Sequence, residues 1–157
     1  VVILAVRQRR QHPNPTMHNR LPIALLCIRI SVFLVMLVWS LDKFVAPQHG
    51  VEVFQYFYFL PGLSTGMINA IGVLQLILIT VFVLGIARRL SYGIVLLTHA
   101  MATVTPFALY LDPWAAGSPN ILFFAAWPML AACFALYLLR ADDRLLRVNI
   151  PLARWME

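Results

Sequence analysis

LPIALLCIRISVFLVMLVWSL, residues 21–41, carries a single charged side chain, Arg29. An α-helix rises 1.5 Å per residue, so this stretch is about 30 Å long, the thickness of bilayer hydrocarbon. Three further apolar runs follow at 67–87, 90–111 and 121–139, none of which holds an Asp, Glu, Lys or Arg. Buried helices of a soluble domain are the competing explanation, and four such runs in one short chain weigh against it. The reading is an all-α, polytopic membrane protein: a bundle of four transmembrane helices.

Composition agrees with that reading. Of 157 residues, 62% are apolar and 11% charged, and the mean hydropathy is +0.84. Soluble chains carry about 25% charged residues, and a soluble domain of this size has too little interior to hide so much apolar surface. Disordered, disulfide-framework and collagen-like classes are excluded on the same grounds. The net charge of +6 does not indicate nucleic acid. The basic residues flank the apolar runs and form no basic stripe interleaved with aromatics.

Their placement sets an orientation. Arg7, Arg9, Arg10, Arg20 and Arg29 lie at or near the amino-terminal end, Arg88 and Arg89 between the second and third runs, and Arg140, Arg144, Arg147 and Arg154 after the fourth. The 42–66 loop holds Lys43 against Asp42 and Glu52, and the loop from Asp112 to Asn120 holds only Asp112. The positive-inside bias then puts both termini in the cytoplasm and both long loops in the periplasm or outside. The organisation expected is an arm at 1–20, a four-span domain at 21–140 and a cytoplasmic tail at 141–157. VVILAV at the start is too short to span and lacks signal-peptide order. Met17 as the true start and a genuine cytoplasmic arm both stay open.

Within 42–66, HGVEVFQYFYFLPG is dense in aromatics. Phe54, Tyr56, Phe57, Tyr58 and Phe59 suit the headgroup boundary, as a short interfacial helix stopped by Pro61–Gly62 or as a docking face for a partner. The second and third runs are joined by a tight turn at Arg88–Arg89, so they are antiparallel neighbours. Gly62, Gly66 and Ala70, and Ala131 with Ala135, recur at fourth positions, a spacing that lets helix backbones approach closely. Pro106 and Pro128 are expected to bend their helices.

Polar side chains inside the runs are few. A central arginine costs about 2.5–3.5 kcal/mol on insertion scales. Arg29 therefore snorkels or turns inward, and the inward reading is favoured because Arg29, Met36, Ser40 and Lys43 share one helical face. Tyr92, His99, Thr103, Pro106 and Tyr110 form a second stripe. Gln75 lies near the middle of the second run, placed to bridge Arg29 and His99. Arg29, Lys43, Gln75, His99 and Thr103 are thus the candidate intramembrane pocket, for a quinone headgroup, another small ligand or a proton. Simple inter-helix hydrogen bonding is the competing explanation. No carboxylate lies in any run, which argues against ion-coupled transport. One intramembrane histidine does not support a bis-histidine haem, and no His or Cys pair has metal-ligand spacing. Cys27 and Cys133 are unpaired in sequence and read as buried, inert thiols. There is no catalytic triad, phosphate loop or carboxylate pair.

The run CIRISVFLVMLVWSLDKF resembles the first span of DoxX-like membrane proteins. There an arginine early in the helix is followed, about fourteen residues on, by a small residue and a lysine. Arg29, Ser40 and Lys43 match, with serine where the family usually has glycine. IGVLQLILITVFVLGIARRLSYG is similar to the second span, with Gly85, Arg88 and Arg89 at the turn. Gln75 stands where the family often has glutamate. The resemblance covers about residues 21–140. It implies a four-helix inner-membrane protein related to small subunits of quinone-linked oxidoreductases. Three functions follow as expectations. The favoured one is a non-catalytic subunit, surrounded by lipid and other membrane subunits, that anchors or stabilises a redox or energy-transducing complex. The others are a quinone-interacting oxidoreductase subunit, with quinone as its cofactor, and a small channel or carrier.

Overall fold

A computed structural model describes residues 15–115 and 119–148, with side chains from Arg20 onward. The expectations for the start of the arm and for the tail beyond 148 fall outside the described residues. All regular elements among them are helical. They are α1 (Pro15–Val45), α2 (Pro47–Tyr58), α3 (Thr65–Val83), α4 (Arg88–Val104), α5 (Phe107–Tyr110), a 3-10 segment (Ile121–Ala125) and α6 (Ala126–Leu138). Three stretches are long and apolar enough to cross a membrane: Arg20–Val45, Thr65–Val83 and Ile121–Leu138, with 26, 19 and 18 residues.

The third apolar run behaves differently. α4 has 17 residues and stops at Val104; Pro106 then separates it from the four-residue α5. Proline has no N–H to donate back up the helix and its ring opposes the preceding turn, so one run becomes two pieces. Pro128 acts otherwise. It lies in the first turn of α6, where a backbone N–H has no intrahelical acceptor, and there it marks a start and not a bend.

Helix ends follow local chemistry. The Ser64 hydroxyl caps α3 by accepting from the Met67 N–H at 3.3 Å. α2 ends at Phe59 with φ +54, and the Leu60 N–H donates to the Phe54 carbonyl before Pro61–Gly62 turns the chain. The turn between α3 and α4 falls at Leu84–Ala87, three or four residues before the position expected. Gly85 and Ala87 both have left-handed φ, +64 and +47. Arg88 and Arg89 therefore open α4 and do not form the turn.

α1 packs on α3, α4 on α6, and both α3–α4 and α1–α6 contacts close the bundle. The shared core comprises Leu25, Val32 and Met36 of α1, Ile79 and Phe82 of α3, Tyr92 and Val95 of α4, and Cys133 and Leu136 of α6. Hydrocarbon is as apolar as these side chains, so in a bilayer such a core is held by close packing and not by escape from water. Many apolar side chains point outward from the same helices, among them Val38, Trp39, Leu74, Leu97 and Leu122.

The close approaches are not those expected from small-residue spacing. Gly62 sits in the loop before α3 with nothing near its Cβ position, Gly66 meets only its own Ser64 cap, and Ala70 and Ala131 face outward. The tight positions are Gly72, where a Cβ would lie 2.8 Å from the Phe44 ring, and Gly50, where it would lie 2.6 Å from Ile68. Fourth-residue spacing identified small residues, but not the helix face that meets a neighbour.

The bundle has two distinct ends. At one, the α3–α4 turn meets the residues after α6: the Val148 N–H donates to the Leu84 carbonyl at 2.9 Å. At the other, α2 meets the 3-10 segment through Phe57 and Phe123, ring centroids 6.1 Å apart. α5 meets that segment too, through Tyr110 and Phe124 at 5.2 Å. α4 with α5 thus runs from the tail end of the bundle to the α2 end.

Candidate functional site

The most concentrated polar chemistry lies at the tail end. Arg29 and Asp143 are both fully buried, with Nη1 and Oδ2 3.2 Å apart. The Tyr92 hydroxyl donates to the same Oδ2 at 2.6 Å and accepts from Arg29 Nη1 at 3.2 Å. Guanidinium, phenol and carboxylate close a three-membered ring. The second guanidinium nitrogen, Nη2, donates to the carbonyls of Leu145 and Leu146 at 2.6 and 3.2 Å. Arg29 thereby grips the chain beyond α6 through its backbone as well as through Asp143.

Arg88 makes a second grip. It is 5% exposed, and its Nη1 donates to the carbonyls of Arg140 and Asp143 at 2.5 and 2.9 Å. Both carbonyls belong to the chain just past α6, which ends at Leu138, and a buried carbonyl there needs such a donor. The end of α6 itself is met by Arg140, which donates to the Tyr137 carbonyl at 2.7 Å, its guanidinium 4.8 Å from the Tyr137 ring. Arg88, expected in the turn itself, instead opens α4 and is enclosed by the returning chain.

Arg29 turns inward, as its helical face predicts. Met36 and Ser40 on the same face are buried, and the Ser40 hydroxyl donates to the Met36 carbonyl at 2.7 Å. Its neighbours differ from those expected. Side chains on a helix tilt toward its amino terminus. The guanidinium therefore meets Tyr92, one residue type of the second stripe but two turns, about 10 Å, before His99. The five residues expected in one pocket share no hydrogen bond except within α4. Lys43 donates to the Trp39 carbonyl at 3.0 Å, near the α2 end of the same helix. His99 Nε2 lies 3.1 Å from the Ala126 carbonyl, and the Thr103 hydroxyl donates to the His99 carbonyl at 2.8 Å. The Gln75 Oε1 is buried with no hydrogen-bond partner among the described residues. The second stripe does face inward: Tyr92, Thr103 and Pro106 are buried.

Asp143 was missed because it follows the last apolar run and was assigned to a solvated tail. The signal was present as an acidic pair, Asp142–Asp143, directly after a span. Only the fold shows that Asp142 stays exposed beside Arg144 while Asp143 is buried. The cysteines also divide: Cys133 belongs to the core and Cys27 is exposed on the outside of α1.

The α2 end holds the expected aromatic residues on a helix. Phe54 stacks on Tyr58 with centroids 5.1 Å apart, and Tyr56 meets Phe57 edge-on at 4.9 Å. Burial against the bundle pushes the Tyr58 phenol above its usual range. Tyr56 and Phe59 are 67% and 82% exposed. The α1–α2 corner is braced by His49 Nδ1 against Asp42 Oδ2 at 2.7 Å.

No group of three or more His, Cys, Asp or Glu residues stands at metal-binding spacing among the described residues. Compared with protein-family models, curated proteins and solved structures, the chain has no match.

Proposed function

We propose that this chain is an integral membrane subunit without its own catalytic site, crossing a bacterial inner membrane four times with both ends in the cytoplasm, and that it anchors or stabilises a larger redox complex. The observation that carries the reading is the Arg29–Tyr92–Asp143 ring. The strongest intramembrane charge is spent on joining α1, α4 and the chain beyond α6. That is the role of a strut. The course of α4–α5, from the tail end to the α2 end, supports a fourth crossing despite the break at Pro106. It also supports placing both ends of the chain on one side, with the arginines around the tail end in the cytoplasm. The exposed rings of α2 and the outward apolar faces of the spans are the surfaces a partner subunit would meet.

The DoxX-like and redox parts of the proposal rest on the resemblance of the first two spans. Arg29 at a buried junction and Ser40 at a buried, small-residue position are consistent with it. The test is purification of the full chain from its native membrane in a mild detergent. Retention of further subunits, at least one with a redox cofactor, is the expected result. A chain that elutes alone, with its fold intact, would refute the anchoring role.

A further inference from the structure

A groove of about 610 Å³ opens at the α2 end, between α2 and the α4–α5 break. One wall is Glu52, Gln55 and Tyr56, which recur at the helical spacing that puts them on one face of α2, with Phe59 just past its end. The other is the chain from Thr105 to Leu109. Its volume falls in the range of small-molecule sites.

The lining has a definite chemistry. Among the described residues Glu52 supplies its only formal charge, no Lys or Arg borders it, and Glu52 makes no ion pair. Beside that carboxylate stand the Gln55 amide, which can accept as well as donate, and the aromatic side chains of Tyr56 and Phe57. Pro106, Ala108 and Leu109 leave the rest apolar. The Thr105 hydroxyl is already engaged, donating to the Met101 carbonyl at 2.6 Å. The groove therefore suits a molecule with an apolar body and a cationic head bearing N–H donors. It lies at one end of the candidate spanning helices, which in the membrane-embedded reading is the headgroup side.

The geometry points to a binding site for a phospholipid with a primary-ammonium headgroup: the ammonium on Glu52 and Gln55, an acyl chain along Pro106–Leu109. An anionic headgroup is repelled by Glu52. A quaternary ammonium keeps the charge but has no N–H to give. The inference rests on the membrane-embedded reading and is independent of the anchoring role.

The test uses the full chain in detergent with phosphatidylethanolamine, phosphatidylcholine and phosphatidylglycerol of identical acyl chains, read by native mass spectrometry. For the unaltered chain, phosphatidylethanolamine is retained about fivefold over either competitor, the equivalent of roughly 1 kcal/mol for a solvent-accessible ion pair. Glu52→Gln, an exposed and nearly isosteric change, abolishes the preference. Ala108→Trp, which fills the groove, lowers retention of all three. Equal retention of the three lipids by the unaltered chain, or a preference that survives Glu52→Gln, would overturn the site. Neither result bears on whether partner subunits co-purify.

Discussion

Arg29 and Asp143, one in the first helix and one beyond the last, meet as a fully buried ion pair at 3.2 Å. Neither residue is stabilising alone. Each charge costs several kcal/mol to bring out of water, and the pair repays this only when geometry and further hydrogen bonds are good. Here Tyr92 and two backbone carbonyls supply those bonds, while Arg29 Nε and Asp143 Oδ1 have no hydrogen-bond partner among the described residues.

Removing one partner should therefore be worse than removing both. Asp143→Ala strands a buried guanidinium, and Arg29→Ala strands a buried carboxylate; each is expected to cost about 3–5 kcal/mol. The combination Arg29→Met with Asp143→Leu replaces the pair by apolar groups and is expected to cost less than either single change. Unfolding of the three variants in matched detergent micelles measures this. A double variant less stable than both singles would show that the pair is not the strut.

Tyr92→Phe removes only the hydroxyl. The ring keeps its place beside Phe82, with centroids 4.9 Å apart, while Asp143 Oδ2 loses its shortest bond, 2.6 Å. With Oδ1 lacking a partner among the described residues, the expected loss is about 1–3 kcal/mol. A variant with an unchanged melting temperature would assign the hydroxyl no part in the junction.

Gly85 and Gly72 should respond differently to alanine, although both positions are crowded. Gly85 has φ +64, and a Cβ there would lie 2.8 Å from Arg29 Nη1 and 3.2 Å from Arg147 Cβ. Left-handed backbone costs an alanine about 1–2 kcal/mol before any clash is counted, and the clash falls on the junction. Gly72→Ala presses on the Phe44 ring, which is 38% exposed and has room to turn. Limited proteolysis should find the chain beyond Arg140 more susceptible in Gly85→Ala and unchanged in Gly72→Ala. Equal susceptibility in both would contradict the placement of that segment against Gly85.

Topology is open to direct labelling. In a chain whose Cys27 and Cys133 are replaced by alanine, Glu52→Cys and Asn120→Cys are expected to react from one side of sealed vesicles and Arg144→Cys from the other. Labelling of Glu52→Cys and Arg144→Cys from one side and Asn120→Cys from the other would mean that α4 and α5 together do not cross.

Much of this molecule is written in local chemistry. Long apolar runs satisfy their backbone as helix wherever the solvent withholds hydrogen bonds, and three of the four do so here, the third being broken at Pro106. The inward face of α1 and the inward stripe of α4 were legible from periodicity, because a 3.6-residue repeat depends only on neighbours in sequence, and the helix after the first span from its aromatic density and its Pro61–Gly62 stop. The spacing rule failed at Gly62, Gly66 and Ala70, since a small residue permits an approach without causing one.

What tertiary structure alone decided is where the charges end up. No rule of composition says that Asp143 is buried while Asp142 is solvated, or that Arg29 reaches Tyr92 and not His99. An ion pair of this kind depends on two segments far apart in sequence arriving within hydrogen-bond range at once. That follows from helix lengths, the break at Pro106 and the left-handed turn at Gly85 acting together, a geometric sum over the whole chain that no local stretch contains.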